Sequence, residues 1–268
     1  MSRLLVNPHA PDTAGCVLEV TPRSAGWRYV GFKVCRLERG QELTGGEADR
    51  ETCLVALSGA AQVAVDGVES GLVGGRGSVF DDAAPGAVYV PAQCRFALTA
   101  ATSLEVALCS APGRPGRPPR IIPPEAMSRE VRGQKTNTRY VRNILPQTEA
   151  ADSLLVVEVM TPGGHWSSYP PHKHDNAVEG QETVLEETYY HRLNPPQGFA
   201  FQRVYTDDRA LDETLCVNDG DVVLVPRGYH PVAAPHGYDL YYLNVMAGPE
   251  RKWIFRNDPA HEWLLGKR

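Results

Sequence analysis

No stretch of the chain approaches the roughly 20 consecutive apolar residues that a bilayer-spanning helix requires. The opening residues, Met1-Ser2-Arg3-Leu4-Leu5-Val6-Asn7-Pro8-His9, offer only three apolar side chains in a row, too few for the core of a secretory leader. The expected compartment is therefore the cytoplasm, with no membrane as a partner. There is no surplus of basic residues either. The formal net charge is -5, and Asp, Glu, Lys and Arg are interleaved along the chain, so no electrostatic footprint for nucleic acid is expected. No two cysteines form a CxxC pair. The six present (Cys16, Cys35, Cys53, Cys94, Cys109 and Cys216) sit mostly in apolar runs such as Thr52-Cys53-Leu54-Val55, which suits small buried hydrophobes rather than a disulfide framework. Convincing amphipathic helices are also scarce.

What the chain has in quantity is turn residues and short strand-like runs. With 25 glycines and 22 prolines over 268 residues, turns can recur at short intervals. Cys16 to Val20 and Trp27 to Arg36 mix strand formers with polar residues. Leu54 to Gly59 followed by Gln62 to Gly67 reads as a hairpin. Ala87 to Pro91, Arg95 to Ala100 and Leu104 to Leu108 continue the series. Residues 111–124 are dense in proline, which fixes the backbone and removes ladder donors, and read as an extended connector. Residues 125–150 are basic (Arg129, Arg132, Lys135, Arg139, Arg142) and read as a bridge onto the second half. Strand signals resume at Leu154 to Met160 and recur at Glu187 to Leu193, Phe199 to Tyr205, Glu213 to Val217, Val222 to Val225 and Asp239 to Met246. An echo links the halves: Pro85-Gly-Ala-Val-Tyr-Val-Pro91 against Gly220-Asp-Val-Val-Leu-Val-Pro226. These signals predict an all-β chain of two sandwich or barrel domains, 1–110 and 151–268, joined by 111–150.

The chemistry-bearing residues concentrate in the second half. Six of the eight histidines lie between 165 and 236. In an extended strand, residues two apart share a face, so His172 and His174 can offer two imidazoles to one point while Lys173 turns away. Imidazole suits zinc, manganese, iron, nickel or copper. An anionic ligand is expected at Leu185-Glu186-Glu187-Thr188-Tyr189-Tyr190. Glu187 is the preferred choice because it shares a face with Tyr189 and His191, with Glu179 as a weaker candidate in the apparently flexible segment 176–183. His230, after the apolar strand Val222 to Val225 and a glycine turn, is the expected fourth ligand. The first half has no His-x-His and no histidine matching His230, so its role is expected to be structural or at an interface. His165, His236 and His261 are read as supporting or surface residues. Alternation places one of Tyr189 and Tyr190, and one of Tyr241 and Tyr242, toward a cavity. Arg192 and Arg203 are ordinary surface charges unless they line that cavity, where an arginine grips a carboxylate with two bonds.

The order His-x-His, Glu, then Gly-x5-Pro-x-Gly-x-His resembles the two cupin motifs. Longer strings, among them Ser168-Tyr-Pro-Pro-His-Lys-His-Asp175, Leu185-Glu-Glu-Thr-Tyr-Tyr-His-Arg192, Pro226-Arg-Gly-Tyr-His-Pro231 and Asn257-Asp-Pro-Ala-His-Glu-Trp263, resemble the IolB-type 5-deoxy-glucuronate isomerases of myo-inositol catabolism, a family related to the uronate isomerase of pectin breakdown. The resemblance covers most of 150–265 and implies a bicupin of two jelly-roll barrels. It also implies a divalent ion, zinc first with manganese, iron or nickel as substitutes, held by His172, His174, Glu187 and His230. The implied reaction converts 5-deoxy-D-glucuronate to 5-dehydro-2-deoxy-D-gluconate. Such a reaction moves a proton from C2 to C1 through an enediolate, or shifts a hydride. His191, Tyr189 or a water at the ion is the candidate base. Arg203, Arg192 and Tyr242 are the candidate substrate contacts, Arg203 for the carboxylate. An Fe(II) dioxygenase and a non-catalytic sugar-binding cupin are the rival readings. The sequence leaves room for a homo-oligomer.

Overall fold

The structure is a computed structural model that describes residues 2–266. Its chain divides into two compact units. One comprises Pro8–Ser128 and Arg142–Val157; the other comprises the residues up to Asn7, Arg129–Val141 and the residues from Glu158 on. Among the described residues, helix is limited to the four-residue Pro22–Ala25 and three short 3-10 turns, so the fold is nearly all β, as the turn-rich sequence predicts.

In the first unit, a six-stranded antiparallel sheet runs in the order Arg120–Ile122, Gly86–Val90, Arg50–Ser58, Leu104–Pro112, Gly31–Leu37, Cys16–Val20. A second sheet orders Glu42–Gly45, Phe96–Ala100, Ala60–Val65 and Val68–Gly74. Their inner faces share one core, with Cys35, Leu54, Val88 and Val106 meeting Val63, Val73, Phe96 and Leu98. This is the sandwich expected where apolar residues alternate along short strands.

The expected hairpin between Leu54 to Gly59 and Gln62 to Gly67 does not form. Arg50–Ser58 stays in the six-stranded sheet, whereas Ala60–Val65 pairs with Val68–Gly74 in the other. The true hairpin turn is Asp66-Gly67, both at positive φ (50° and 76°), the pair a type I′ turn requires. Gly59 is instead the corner between sheets. Its φ is +80°, and a Cβ there would sit 2.1 Å from the Ser103 carbonyl oxygen. The proline-rich segment also holds more order than a bare connector, since Arg120–Ile122 pairs with Gly86–Val90. All six cysteines are free, and Cys216 is exposed rather than buried.

In the second unit, Leu5–Val6, Val222–Val225, Glu186–Asn194 and Asp239–Ala247 lie side by side in that order. A four-stranded sheet orders Trp166–Ser167, Val232–Ala233, Phe199–Tyr205 and Asp212–Asn218, and the two-residue strand His172–Lys173 pairs with Arg256–Asn257. Val204, Val217 and Val232 from one sheet pack with Tyr189, Val223 and Tyr242 from the other. Glu186–Asn194 is buried on both faces through its middle, Thr188 and Tyr190 included, and alternation shows at its ends. Glu187, Tyr189, His191 and Leu193 are buried on one side, while Glu186 and Arg192 remain partly exposed on the other.

Candidate metal centre

Four side chains from three parts of the second unit converge. His172 belongs to a two-residue strand, and His174 lies just beyond it; both are buried. Lys173 points elsewhere, its Nζ 3.0 Å from Asp175 Oδ1 and 2.7 Å from Asp207 Oδ2. His230 is fully buried, and its ring centroid lies 4.7 Å from that of His172 and 5.1 Å from that of His174. One ring nitrogen from each of these histidines falls within 4.8 Å of the others. Glu187 completes the cluster, with Oε2 at 3.0 Å from His174 Nε2 and 3.2 Å from His230 Nε2. Glu179, the weaker carboxylate candidate, is exposed.

The backbone around the cluster explains how His230 reaches it. Gly228 adopts φ +88°, and a Cβ there would sit 2.4 Å from the Tyr205 carbonyl oxygen. Only glycine accepts both constraints without strain. Tyr205 and Tyr229 exchange backbone hydrogen bonds beside this turn, and the Gly228 N–H donates to Asp175 Oδ2 at 2.8 Å. The segment after His174 is pinned as well, because Glu182 Oε1 accepts from the backbone N–H groups of Asp175 and Asn176. Glu182 is buried, so 176–183 is tied at its base rather than free.

Hydrogen bonding sets the protonation of the rings. His230 Nδ1 lies 2.8 Å from the Gly228 carbonyl oxygen, and His174 Nδ1 lies 3.0 Å from that of Leu185. A carbonyl only accepts, so both Nδ1 atoms carry the proton and donate. That leaves the lone pairs of both Nε2 atoms aimed at the same carboxylate oxygen. Three lone pairs cannot share a buried point unless a cation or an added proton lies among them. His230 Nε2 has no aligned hydrogen-bond partner despite its closeness to Glu187. A metal-bound imidazole typically donates its other N–H to a carbonyl in this way. The set of three imidazoles and one carboxylate fits a divalent ion of the zinc, manganese or iron type.

Charge balance in the cluster points the same way. Burial acts first on Glu187 and raises its carboxyl, but with added protons on the neighbouring rings the charge of His230 and the bond from His174 outweigh it and hold it at about 2. Burial, reinforced by His230 and His174, pushes His172 well below its ordinary value. His174 is raised: burial lowers it, and its bond to Glu187 more than compensates. A fixed anion with a neutral imidazole beside it is a donor set poised for a cation.

Beside the cluster, Tyr189 stacks on His191 at 5.9 Å and meets Tyr242 at 4.8 Å. Tyr189 OH is 2.8 Å from Ser168 Oγ, and Tyr242 OH bonds Ser167 Oγ. Of each tyrosine pair, Tyr189 and Tyr242 join this core; the Tyr241 hydroxyl donates to Glu158 instead. Burial lowers the His191 imidazole to about 4, against an opposing bond to Gln202, so it is neutral near pH 7. Its Nε2 lies 2.9 Å from Gln202 Oε1, and its Nδ1 has no partner. Among the outlying histidines, His165 Nδ1 bonds the Thr138 carbonyl, His236 is exposed and His261 is half-buried.

Two expected substrate contacts are not brought to this place. Arg203 follows the inward-facing Gln202 and so points outward, its Nε and Nη2 each 2.7 Å from the two Asp212 oxygens. Arg192 follows the inward-facing His191 and bonds Asp219 Oδ1 at 2.9 Å. The same alternation that selects Glu187 places both on the far face. Sequence reasoning missed Ser167, Ser168, Gln202 and Phe255, whose ring sits 4.5 Å from that of His172. Of these only Gln202 left a signal, its inward parity with Ala200 and Val204. A pocket of about 840 Å³ opens beside His172, lined also by Arg139, Tyr169, Phe255 and Asn257.

Comparisons with known proteins agree in direction. The sequence pattern of the KduI/IolB family matches residues 4–264. The 5-deoxy-glucuronate isomerase of Geobacillus thermodenitrificans (strain NG80-2) is 54% identical over 265 residues, covering 99% of this chain and 97% of that protein. Its counterpart in Bacillus subtilis (strain 168) is 49% identical over 271 residues, covering 99% of each. Among solved structures, an IolB-like protein from Salmonella typhimurium LT2 superimposes with a TM-score of 0.95 at 51% identity, covering 98% of this chain and 99% of that one. Bacillus subtilis oxalate decarboxylase, described with Mn(II) centres, shares the fold at a TM-score of 0.65 and 15% identity, covering 96% of this chain and 80% of that one.

Proposed function

The chain belongs to the KduI/IolB family, and from that membership we propose that it is a metal-dependent aldose–ketose isomerase converting 5-deoxy-D-glucuronate to 5-dehydro-2-deoxy-D-gluconate in inositol catabolism. The observation that carries the reading beyond the family is the buried meeting of His172, His174 and His230, with Glu187 Oε2 beside the last two. Full-length likeness to proteins named as isomerases favours this reading over a dioxygenase or a non-catalytic binder. We further propose that the two units correspond to two cupin barrels, with the metal in the second only, and that the reaction runs in the cytoplasm.

In this proposal His172, His174, Glu187 and His230 hold a divalent ion, zinc by preference. When bound, it would supply Lewis-acid polarisation of a substrate carbonyl. The chain's own residues do the rest. Tyr189, fixed by Ser168, and Tyr242, fixed by Ser167, present phenol groups where an oxygen gains charge. His191 is neutral, with Nδ1 free to accept a proton and its ring stacked on Tyr189, so it is our candidate to carry hydrogen between carbons. The step balances without a redox partner. The proton on C2 leaves and one returns at C1, while the hydroxyl proton passes from O2 to O1, so that C1 becomes the hydroxymethyl carbon and C2 the ketone.

Incubating purified protein with 5-deoxy-glucuronate in deuterium oxide tests both parts. The expected result is a ketose product carrying solvent deuterium on the carbon that was the substrate aldehyde C1, the hydroxymethyl C6 of the product. Absence of turnover rejects the function, and turnover with complete retention of substrate hydrogen rejects the proton route in favour of a hydride shift.

A further inference from the structure

The pocket beside His172 has an unusual charge composition. Its lining includes three cationic side chains, Arg132, Lys135 and Arg139, and no aspartate or glutamate. Arg132 is engaged elsewhere, with Nε 2.9 Å from Glu130 Oε2 and its guanidinium 5.1 Å from the Trp253 ring centroid. Arg139 is different. Among the described residues it has no carboxylate partner. Its hydrogen bonds there run from Nη1 alone, to the carbonyl oxygens of Asn137 at 3.2 Å and Tyr169 at 3.1 Å. Those two bonds fix the plane of the guanidinium and leave Nε and Nη2, the fork that grips a carboxylate, uncommitted. Lys135 is exposed and likewise meets no acid among the described residues. It is presented by a tight turn in which Gly133 has φ +79° and Lys135 itself has φ +52°. A half-buried guanidinium with no counter-charge costs free energy unless an anion arrives to offset it.

We propose that Arg139, assisted by Lys135, is the specificity-determining contact of this pocket and holds the carboxylate of an acyclic sugar acid whose other end lies at His172. This rests on the isomerase reading for the identity of the substrate, but the anion preference stands on the pocket alone. Arg139 replaces Arg203 in the carboxylate role that sequence reasoning sought. The pocket therefore selects sugar acids over neutral polyols of the same length.

Calorimetric titration of the metal-loaded protein with D-gluconate and with the neutral alditol D-glucitol separates the possibilities. Gluconate should bind the unaltered protein more tightly than glucitol. Arg139→Gln should weaken gluconate by about tenfold or more, the scale of one charge-assisted bidentate contact, and leave glucitol and metal content unchanged. Lys135→Asn, at an exposed position where asparagine tolerates positive φ, should weaken gluconate by about threefold without disturbing folding. Equal affinity for the two ligands in the unaltered protein overturns the proposal. So does gluconate affinity that is unchanged in both variants, or a loss in Arg139→Gln that falls equally on glucitol. A protein that discriminates gluconate through Arg139 yet fails to turn over 5-deoxy-glucuronate would sink the isomerase assignment and leave this one standing. Turnover with an unchanged KM in Arg139→Gln would do the reverse.

Discussion

Replacing His172 or His174 by alanine should abolish the proposed metal binding and lower kcat/KM by at least about 10³-fold, while the thermal melt still shows one folded protein. The size follows from what each ring does. The interactions that stabilise charge developing in a water-excluded site are each worth about 10²–10³ in rate, and losing a ligand removes the ion that supplies the largest of them. His172 and His174 are both buried beside His230, and His174 also meets Glu187. Truncating either leaves a carboxylate and two imidazoles that no longer enclose a point. His174→Ala also strands Glu187, whose Oε2 loses its 3.0 Å partner. It should therefore destabilise the fold more than His172→Ala, whose ring makes no hydrogen bond to Glu187. Metal content by elemental analysis and initial rates on the same samples check the prediction. A variant that loses its metal but keeps full activity would contradict it.

The second large effect lies in the other unit and concerns stability. Glu51 is fully buried, and its two carboxylate oxygens are saturated by donors. Oε2 accepts from Tyr89 OH and from the Asp152 N–H, each at 2.7 Å; Oε1 accepts from the N–H groups of Ser153 and Leu154, each at 2.7 Å. The residue thus accepts from three consecutive backbone donors. Glu51→Ala removes the acceptor from all three, one buried at Leu154 and two part-buried, and a loss of about 3–5 kcal/mol is expected. For a domain of this size that is a fall of roughly 10 °C in Tm. Glu51→Gln is no remedy. Whichever way the amide is turned, its NH2 faces at least one backbone N–H, donor against donor. Both variants should melt early by calorimetry, and the folded fraction at low temperature should keep its metal. A Glu51→Gln protein with unchanged Tm would show that the carboxylate is not the anchor described.

How much of this was legible beforehand depends on period and distance. The pair His172 and His174 is visible because two residues in extended backbone share a side, and the inward parity of Glu187, Tyr189 and His191 is visible for the same reason. Applied without exception, the rule would have excluded Arg192, which must oppose His191, and Arg203, which must oppose Gln202. Arg139 could not be found this way. In the chain it is one of several bases between 129 and 142, and nothing local tells a solvated arginine from one that folding leaves beside a pocket without an acid. Glu51 was equally silent, because its partners at 152–154 lie about a hundred residues away. The misread hairpin at Gly59 shows the converse failure. Glycine between two apolar runs signals a bend, but whether the chain returns along its own sheet or crosses to another is decided by packing.

The central claim is that three imidazoles and one carboxylate of the second unit enclose a single cation. X-ray absorption at the metal edge of the purified, metal-loaded protein tests it most directly. The account predicts a first sphere of nitrogen and oxygen at about 2.0–2.2 Å, with imidazole back-scattering that weakens in His172→Ala. A sphere without imidazole, or one identical in the unaltered protein and a His172→Ala/His174→Ala double variant, would contradict it.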